Sequence, residues 1–143
     1  RGHEIQRQAF SRGDNDSSDV FEFIEKVIST SLSIAVNDPD SISIWLELSF
    51  EYNARFSEET LRLEKEGIAF WKDIVKKGIE EGSINEGIDV DGAAFCIDSI
   101  VGTLMKSYIS NHEKTKLQTH FGKTSAEDIV KKIMTVIKKM LQT

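Results

Sequence analysis

Apolar residues recur at intervals of three and four along most of the chain, and this spacing constrains the fold more than any other feature. In an α-helix such intervals place side chains on one face, whereas a half-buried β-strand needs strict alternation. The chain has a single proline, Pro39, so long helices can run without interruption. The pattern therefore predicts an all-α domain, a bundle of five to six helices.

Helix-terminating signals divide this pattern into segments. Five helices are predicted, over residues 19–35, 38–56, 57–81, 91–110 and 124–141. Each follows or begins at a residue that can cap an N-terminus, and these residues are Asp19, Asp38, Ser57, Asp91 and Thr124. Ser125 is an alternative N-cap one residue after Thr124. Gly82 is the expected left-handed C-terminal cap of the helix over 57–81. Residues 111–123 are predicted to form a polar loop.

The length of 143 residues suits one domain. Residues 1–18 are polar and irregular, so we expect a linker or the end of an upstream helix there. Residues 19–143 then form the domain itself.

Residues 111–143 contain seven lysines and only three acidic residues, whereas the whole chain carries a net charge of −6. The basic residues of 111–143 could attract phosphate, but the lysines at 131, 132, 138 and 139 are spaced as the solvated outer face of a helix. Because a mostly acidic surface repels phosphate backbones, this chain by itself is not expected to bind DNA.

Several classes of protein are disfavoured by composition. Apolar runs fall far short of the roughly 18 residues of a membrane span, and the start does not resemble a signal peptide, so we expect a cytoplasmic protein without membrane contact. The only cysteine, Cys96, excludes an internal disulfide and is predicted to be a small buried side chain.

The motifs of common enzyme classes are missing, including the phosphate-binding loop, the nucleophile elbow and the zinc-protease helix. The three histidines, His3, His112 and His120, match no familiar metal-ligand spacing. We therefore expect no enzyme, no cofactor and no metal site.

The central segment carries a family resemblance. It contains Phe70-Trp71-Lys72-Asp73-Ile74, then Gly78-Ile79-Glu80-Glu81-Gly82, then Ile88 to Asp91, and later Ile100-Val101-Gly102-Thr103-Leu104. This order resembles the C-terminal half of TetR-family transcriptional regulators, over roughly residues 19–141. Val101 departs from the pattern, since the family often has aspartate before that glycine. The family's helix-turn-helix head has no counterpart in this sequence.

The resemblance implies the effector-binding and dimerisation domain of a transcriptional regulator, expected to be a repressor. It implies a homodimer whose last two helices pair as a four-helix bundle, and a small effector held among the other helices. DNA would be contacted only through an N-terminal head, which we expect upstream of Arg1. Two alternatives stay open, a freestanding helical protein-interaction module and a carrier of hydrophobic ligands.

Aromatic and aliphatic residues of the first four predicted helices are candidates for the ligand pocket, since such pockets are mostly apolar with a few polar groups. The candidates are Ile24, Ile28, Trp45, Leu48, Tyr52, Phe70, Ile74, Phe95 and Ser99. The effector is expected to be apolar. A cationic effector is the alternative, if Asp98 or Glu51 points inward and needs a positive partner. Each carboxylate could instead face solvent or pair with a lysine.

The last two predicted helices carry more apolar surface than one small bundle needs. The surplus predicts a two-fold interface between copies of the chain. The predicted contacts are Ile97, Val101, Met105, Tyr108, Ile133, Val136, Ile137 and Met140. The alternative is that both stripes of these helices face the same core.

Overall fold

Helices account for the regular structure of the chain. The structure, a computed structural model, describes residues 19–41, 43, 54–108, 110–122 and 124–143. Five helices have their bounds there: α1 Val20–Asn37, α2 Ala54–Glu80, α3 Val90–Lys106, α4 Asn111–Phe121 and α5 Ala126–Gln142. Residues 39–41 are also helical, and no strand occurs among the described residues. The predicted all-α class is confirmed.

Helix α1 lies at the centre of the bundle, in contact with α2, α3 and α5. Its N-terminus begins as predicted, with the Asp19 carboxylate accepting a hydrogen bond from the Glu22 amide at 2.9 Å. One face is buried over its whole length, through Val20, Phe21, Phe23, Ile24, Val27, Ile28, Ser31, Leu32 and Ala35. Helix α1 therefore supplies apolar surface against which α2, α3 and α5 pack.

The start of α1 packs against the end of α2. Val20, at the start of α1, lies beside Gly78 near the end of α2. One turn further along α1, the Lys77 Nζ atom lies 5.9 Å from the centre of the Phe23 ring.

A glycine turn ends α2, as the sequence predicts. Gly82 has φ +81°, the left-handed conformation that favours glycine. The amides of Gly82 and Ser83 donate to the carbonyls of Ile79 and Gly78, which completes a Schellman motif. The buried Ile84 follows, and the Asn85 amide then donates to the Leu141 carbonyl at 2.9 Å. These bonds join the α2–α3 connection to the end of α5.

The break predicted at Ser57 is wrong, because α2 begins at Ala54 and continues through that position. A serine costs a helix interior less than about 0.7 kcal/mol, so a cap-like residue does not by itself end a helix. Asp38 does cap as predicted, accepting from the Ser41 amide at 3.3 Å. The remainder of the predicted 38–56 helix, at 42 and 44–53, lies outside the described residues.

The loop predicted over 111–123 is also wrong, because residues 111–121 form α4. The missed signal is Ser110 followed three residues later by Glu113. The Ser110 hydroxyl accepts from the Glu113 amide at 3.3 Å, and Gly122 ends the helix with φ +76°. Apolar residues are sparse in this segment, so its periodicity gives little warning of a helix.

Two predicted caps are displaced. Helix α3 begins at Val90, and the carboxylate of Asp91 pairs with Lys72 at 3.0 Å instead of capping the helix. Helix α5 is capped by Ser125, the alternative given above, whose hydroxyl accepts from the Asp128 amide at 3.1 Å. Cys96, predicted to be buried, is exposed on α3. It lies on the face of α3 opposite the residues that enter the core.

Candidate ligand site and subunit interface

Four of the nine predicted pocket residues belong to one core. Ile24 and Ile28 of α1 and Ile74 of α2 are buried in the same hydrophobic cluster, with the half-buried Phe70 packed against it. The predicted pocket residues Trp45, Leu48 and Tyr52 lie outside the described residues, as does Glu51. The structure thus places four predicted residues in or against the core that α1 and α2 share.

The remaining two predicted pocket residues face elsewhere. Phe95 is 61% exposed, and Ser99, one turn further along α3, is exposed as well. The residues of α3 that enter the core are Ala93, Ala94, Ile97, Val101, Leu104 and Met105. Since Phe95 and Ser99 project from the other side of the helix, they lie apart from the four predicted pocket residues in the core.

Two polar atoms lie inside the core without a protein partner. The Oγ atom of Ser31 and the Nε1 atom of Trp71 are buried, and neither has a hydrogen-bond partner among the described residues. Both side chains are 0% exposed. Buried polar groups are nearly always paired, so two orphans on adjoining helices mark this part of the core as unusual. The sequence pattern places Trp71 in the core stripe but gives no sign that its N–H lacks a partner.

The Trp71 ring is held in place by its surroundings. The Phe70 ring meets it nearly edge to face, with ring centres 5.1 Å apart and an angle of 73° between planes. The core to which Trp71 belongs is apolar, and it also contains Val27, Ile74 and Val75.

A second feature is an apolar groove on the surface, formed by α3, α4 and α5. Its volume is about 490 Å³, and its lining is Ser99, Ile100, Thr103, Leu104, Leu117, His120, Phe121, Lys132, Ile133 and Val136. Val136 is 64% exposed, and the Lys132 Nζ atom lies 6.0 Å from the centre of the Phe121 ring at one edge. We call this surface the α3–α5 groove.

The predicted interface residues divide between core and surface. Four of them, Ile97, Val101, Met105 and Ile137, are buried in the chain's own core. They have no surface to offer a second copy. Ile133 and Val136 line the α3–α5 groove, and Met140 is half-buried on the same helix. An interface remains a prediction for the exposed part of the set.

Tyr108, the eighth predicted interface residue, lies in a different groove. This groove of about 620 Å³ is formed by α1, the start of α5 and Tyr108. Its walls carry charged side chains, including Glu22, Lys26 and the pair of Lys131 with Glu127 at 3.4 Å. Burial raises the pKa of the Tyr108 hydroxyl above its ordinary value.

Other candidate chemistry finds little support in the geometry. Within the residues that the structure describes, no group of three or more His, Cys, Asp or Glu side chains could hold a metal ion. His112 and His120 are exposed on α4, and His3 lies outside the described residues. Asp98 is half-buried and has an interaction partner. No helix among the described residues is both long and apolar enough to cross a membrane.

Comparison with solved structures identifies the fold. The chain is similar to a TetR family transcriptional regulator from Chloroflexus aurantiacus J-10-FL, with a TM-score of 0.66 and 16% sequence identity. The match covers 96% of this chain and 67% of that chain. No protein-family model and no curated protein matches the sequence. The TetR-like fold expected from residues 70–104 is therefore confirmed, and identity this low shows the fold alone.

Proposed function

We propose that this chain is the effector-binding and dimerisation domain of a TetR-type transcriptional regulator, acting in the cytoplasm and most simply as a repressor. The observation that carries the proposal is the extent of the structural likeness, which covers 96% of the chain. In this proposal residues 19–143 form the domain, residues 1–18 lead into it, and a DNA-binding head precedes Arg1. The domain itself performs no catalysis.

Dimerisation is assigned to the α3–α5 groove. Helices α3 and α5 are the two on which the sequence predicts surplus apolar surface, and the groove is where that surplus remains exposed. Ile100, Ile133 and Val136 supply apolar contact, while Lys132 and His120 lie among the polar residues of the lining. An apolar centre with a polar rim is typical of protein interfaces. In a two-fold dimer each copy presents the same patch, so α3 and α5 of both copies form a four-helix bundle.

Effector control is a population shift between two helix arrangements. The effector binds one arrangement more tightly, and that arrangement sets the distance between the two DNA-binding heads. A molecule with equal affinity for both arrangements would bind without any regulatory effect. The α1–α2 core is the proposed effector site, because α1 touches both α2 and the dimer helices α3 and α5. A change in its packing therefore reaches the interface directly.

The dimer is tested by a matched pair of charge substitutions. Val136→Glu places a carboxylate in the α3–α5 groove of each copy, so a two-fold interface would bring two such charges together. Val36→Glu is the control, since Val36 is 55% exposed but lies on α1, away from that groove. We expect the wild type and the Val36→Glu variant to be dimers and Val136→Glu to be monomeric. The masses are measured by light scattering at micromolar concentration.

A wild-type monomer in that experiment would refute the dimer and favour a freestanding interaction module that uses the same groove for a partner helix. Equal dissociation of both variants would place the interface elsewhere. The regulatory part is tested on the complete protein. The coding sequence before Arg1 should contain a helix-turn-helix pattern, and the full-length protein should bind DNA from its own promoter region. A natural start codon near Arg1 with no preceding domain would contradict a DNA-binding regulator.

A further inference from the structure

We infer that Trp71 Nε1 and Ser31 Oγ are the polar contacts of the effector site, and that the effector is an uncharged, mostly apolar molecule bearing a hydrogen-bond acceptor. A ketone or ester carbonyl has the required chemistry. The inference rests on the proposed function, because it names the chemistry of the ligand that the α1–α2 core would hold. It begins from the two orphaned polar atoms, which ordinary core packing does not explain.

The indole N–H of Trp71 is the more demanding of the two groups. It can only donate, and its ring is enclosed at 0% exposure, with no acceptor among the described residues. Ser31 has a local remedy, because a serine in a helix can rotate to donate to the carbonyl one turn earlier, here that of Val27. Trp71 has no such remedy. The ligand group that pairs with it must therefore be an acceptor.

The two atoms belong to helices that pack against each other, α1 and α2. Both residues have 0% exposure, so both polar groups lie within the core that these helices share. A ligand that enters this core can therefore meet one polar group from each helix.

The surroundings argue for an uncharged ligand. The core that holds the two orphans is apolar, and on α1 and α2 it includes Ile24, Val27, Ile28, Ile74 and Val75. An ion placed among them would lose its hydration without gaining a counter-charge. The indole N–H also presents its positive end to the ligand, which disfavours a cation. The cationic effector considered from Asp98 and Glu51 is thus the weaker choice.

The test uses two probes of nearly equal shape, acetophenone, which carries a carbonyl acceptor, and ethylbenzene, which does not. The readout is the indole N–H signal of Trp71 in nitrogen-15 NMR spectra of the whole chain. The chain has two tryptophans, so loss of one signal in Trp71→Phe assigns it. We expect acetophenone to move the Trp71 signal downfield, as hydrogen bonding does, and ethylbenzene to leave it nearly unchanged.

Affinity provides the second readout. Trp71→Phe keeps an aromatic ring but removes the donor, so acetophenone should bind about tenfold more weakly while ethylbenzene binding stays the same. Ser31→Ala, a smaller change, should weaken acetophenone binding in the same direction. It keeps the test valid if Trp71→Phe fails to give a dispersed, folded spectrum.

Three outcomes would overturn the inference. One is equal affinity of both probes for the wild type and the variants, which would leave the proposed effector pocket standing but remove these contacts. Another is a Trp71 N–H that is already hydrogen-bonded in the free protein, to water or to a residue between 42 and 53. The Trp71 signal would then show cross-relaxation with that partner, and neither probe would change it. The third is failure of both probes to bind or to raise the melting temperature of the wild type, which would count against the proposed pocket itself.

Discussion

Replacing Gly78 by alanine tests the packing that joins α2, its terminal turn and α1. A Cβ atom at Gly78 would meet Cδ1 of Ile84, Cγ1 of Ile84 at 2.7 Å and Cγ1 of Val20 at 3.1 Å. The contacts with Ile84 are shorter than side chains tolerate, and the contact with Val20 is tight. Ile84 is only 3% exposed, and its amide and that of Ser83 both donate to the Gly78 carbonyl. Its backbone is therefore fixed by the turn, and its side chain can yield only by changing rotamer within the core.

Two effects of opposite sign decide the magnitude. Alanine is better than glycine in a helix interior by about 1 kcal/mol, and less within the last turn where Gly78 lies. Overpacking of a core by one methyl group costs about 1–3 kcal/mol when the neighbours are fixed. The packing cost wins, so Gly78→Ala should lower the free energy of unfolding by about 1–2 kcal/mol. For a domain of this size that lowers the melting temperature by about 4–8 °C.

Gly102→Ala is the matched control, because Gly102 lies within α3 and a Cβ there has no neighbour within 4 Å. It should receive the helix-propensity gain without the clash and raise the melting temperature by about 2–4 °C. Both variants are measured by thermal and urea unfolding at one protein concentration, since the proposed dimer would make stability concentration-dependent. A Gly78→Ala variant at least as stable as the wild type would refute the packing argument.

Three further changes test single features. Ser125→Ala removes the cap of α5, a 3.1 Å bond from the Asp128 amide, and should cost about 1 kcal/mol in urea unfolding, whereas Thr124→Ala should cost less; equal costs would reject Ser125 as the cap. Because the folded-state pKa of Tyr108 is raised, stability should be full below pH 10 and fall as pH rises above it, and the fall should shrink in Tyr108→Phe. An unchanged alkaline profile would contradict this. Asn85→Ala removes two side-chain hydrogen bonds of 2.8 Å and should lower the free energy of unfolding by about 1 kcal/mol. Amide hydrogen exchange at the end of α5 should also become faster, and unchanged exchange there would contradict this role of Asn85.

Local signals in the sequence were enough to predict α1, α2, α3 and α5 and several of their ends. The caps at Asp19 and Asp38 and the left-handed turn at Gly82 depend on residues within a few positions of one another, so the chain determines them without its tertiary contacts. The same holds for the all-α class, which follows from apolar spacing alone. The resemblance around residues 70–104 extended this to the TetR-like fold.

Local signals in the sequence led to two wrong predictions, a helix start at Ser57 and a loop in place of α4. Ser57 has the appearance of a helix start, yet α2 passes through it, because the cost of a serine inside a helix is small beside the packing of the rest of α2. Conversely, α4 was missed although Ser110 and Glu113 have the spacing of a helix start. Its apolar residues Leu117 and Phe121 are too few to form a recognisable apolar stripe. Both errors concern how strongly a weak signal counts.

Only the tertiary structure decided which apolar stripe faces inward. Ile137 and Val136 are neighbours on α5, about 100° apart around the helix, yet one is buried and the other 64% exposed. The sequence determines that both stripes exist, but the rotation of a helix about its axis depends on partners far away in the chain. The orphaned N–H of Trp71 is decided in the same way, since whether a buried donor finds an acceptor depends on the whole surrounding core.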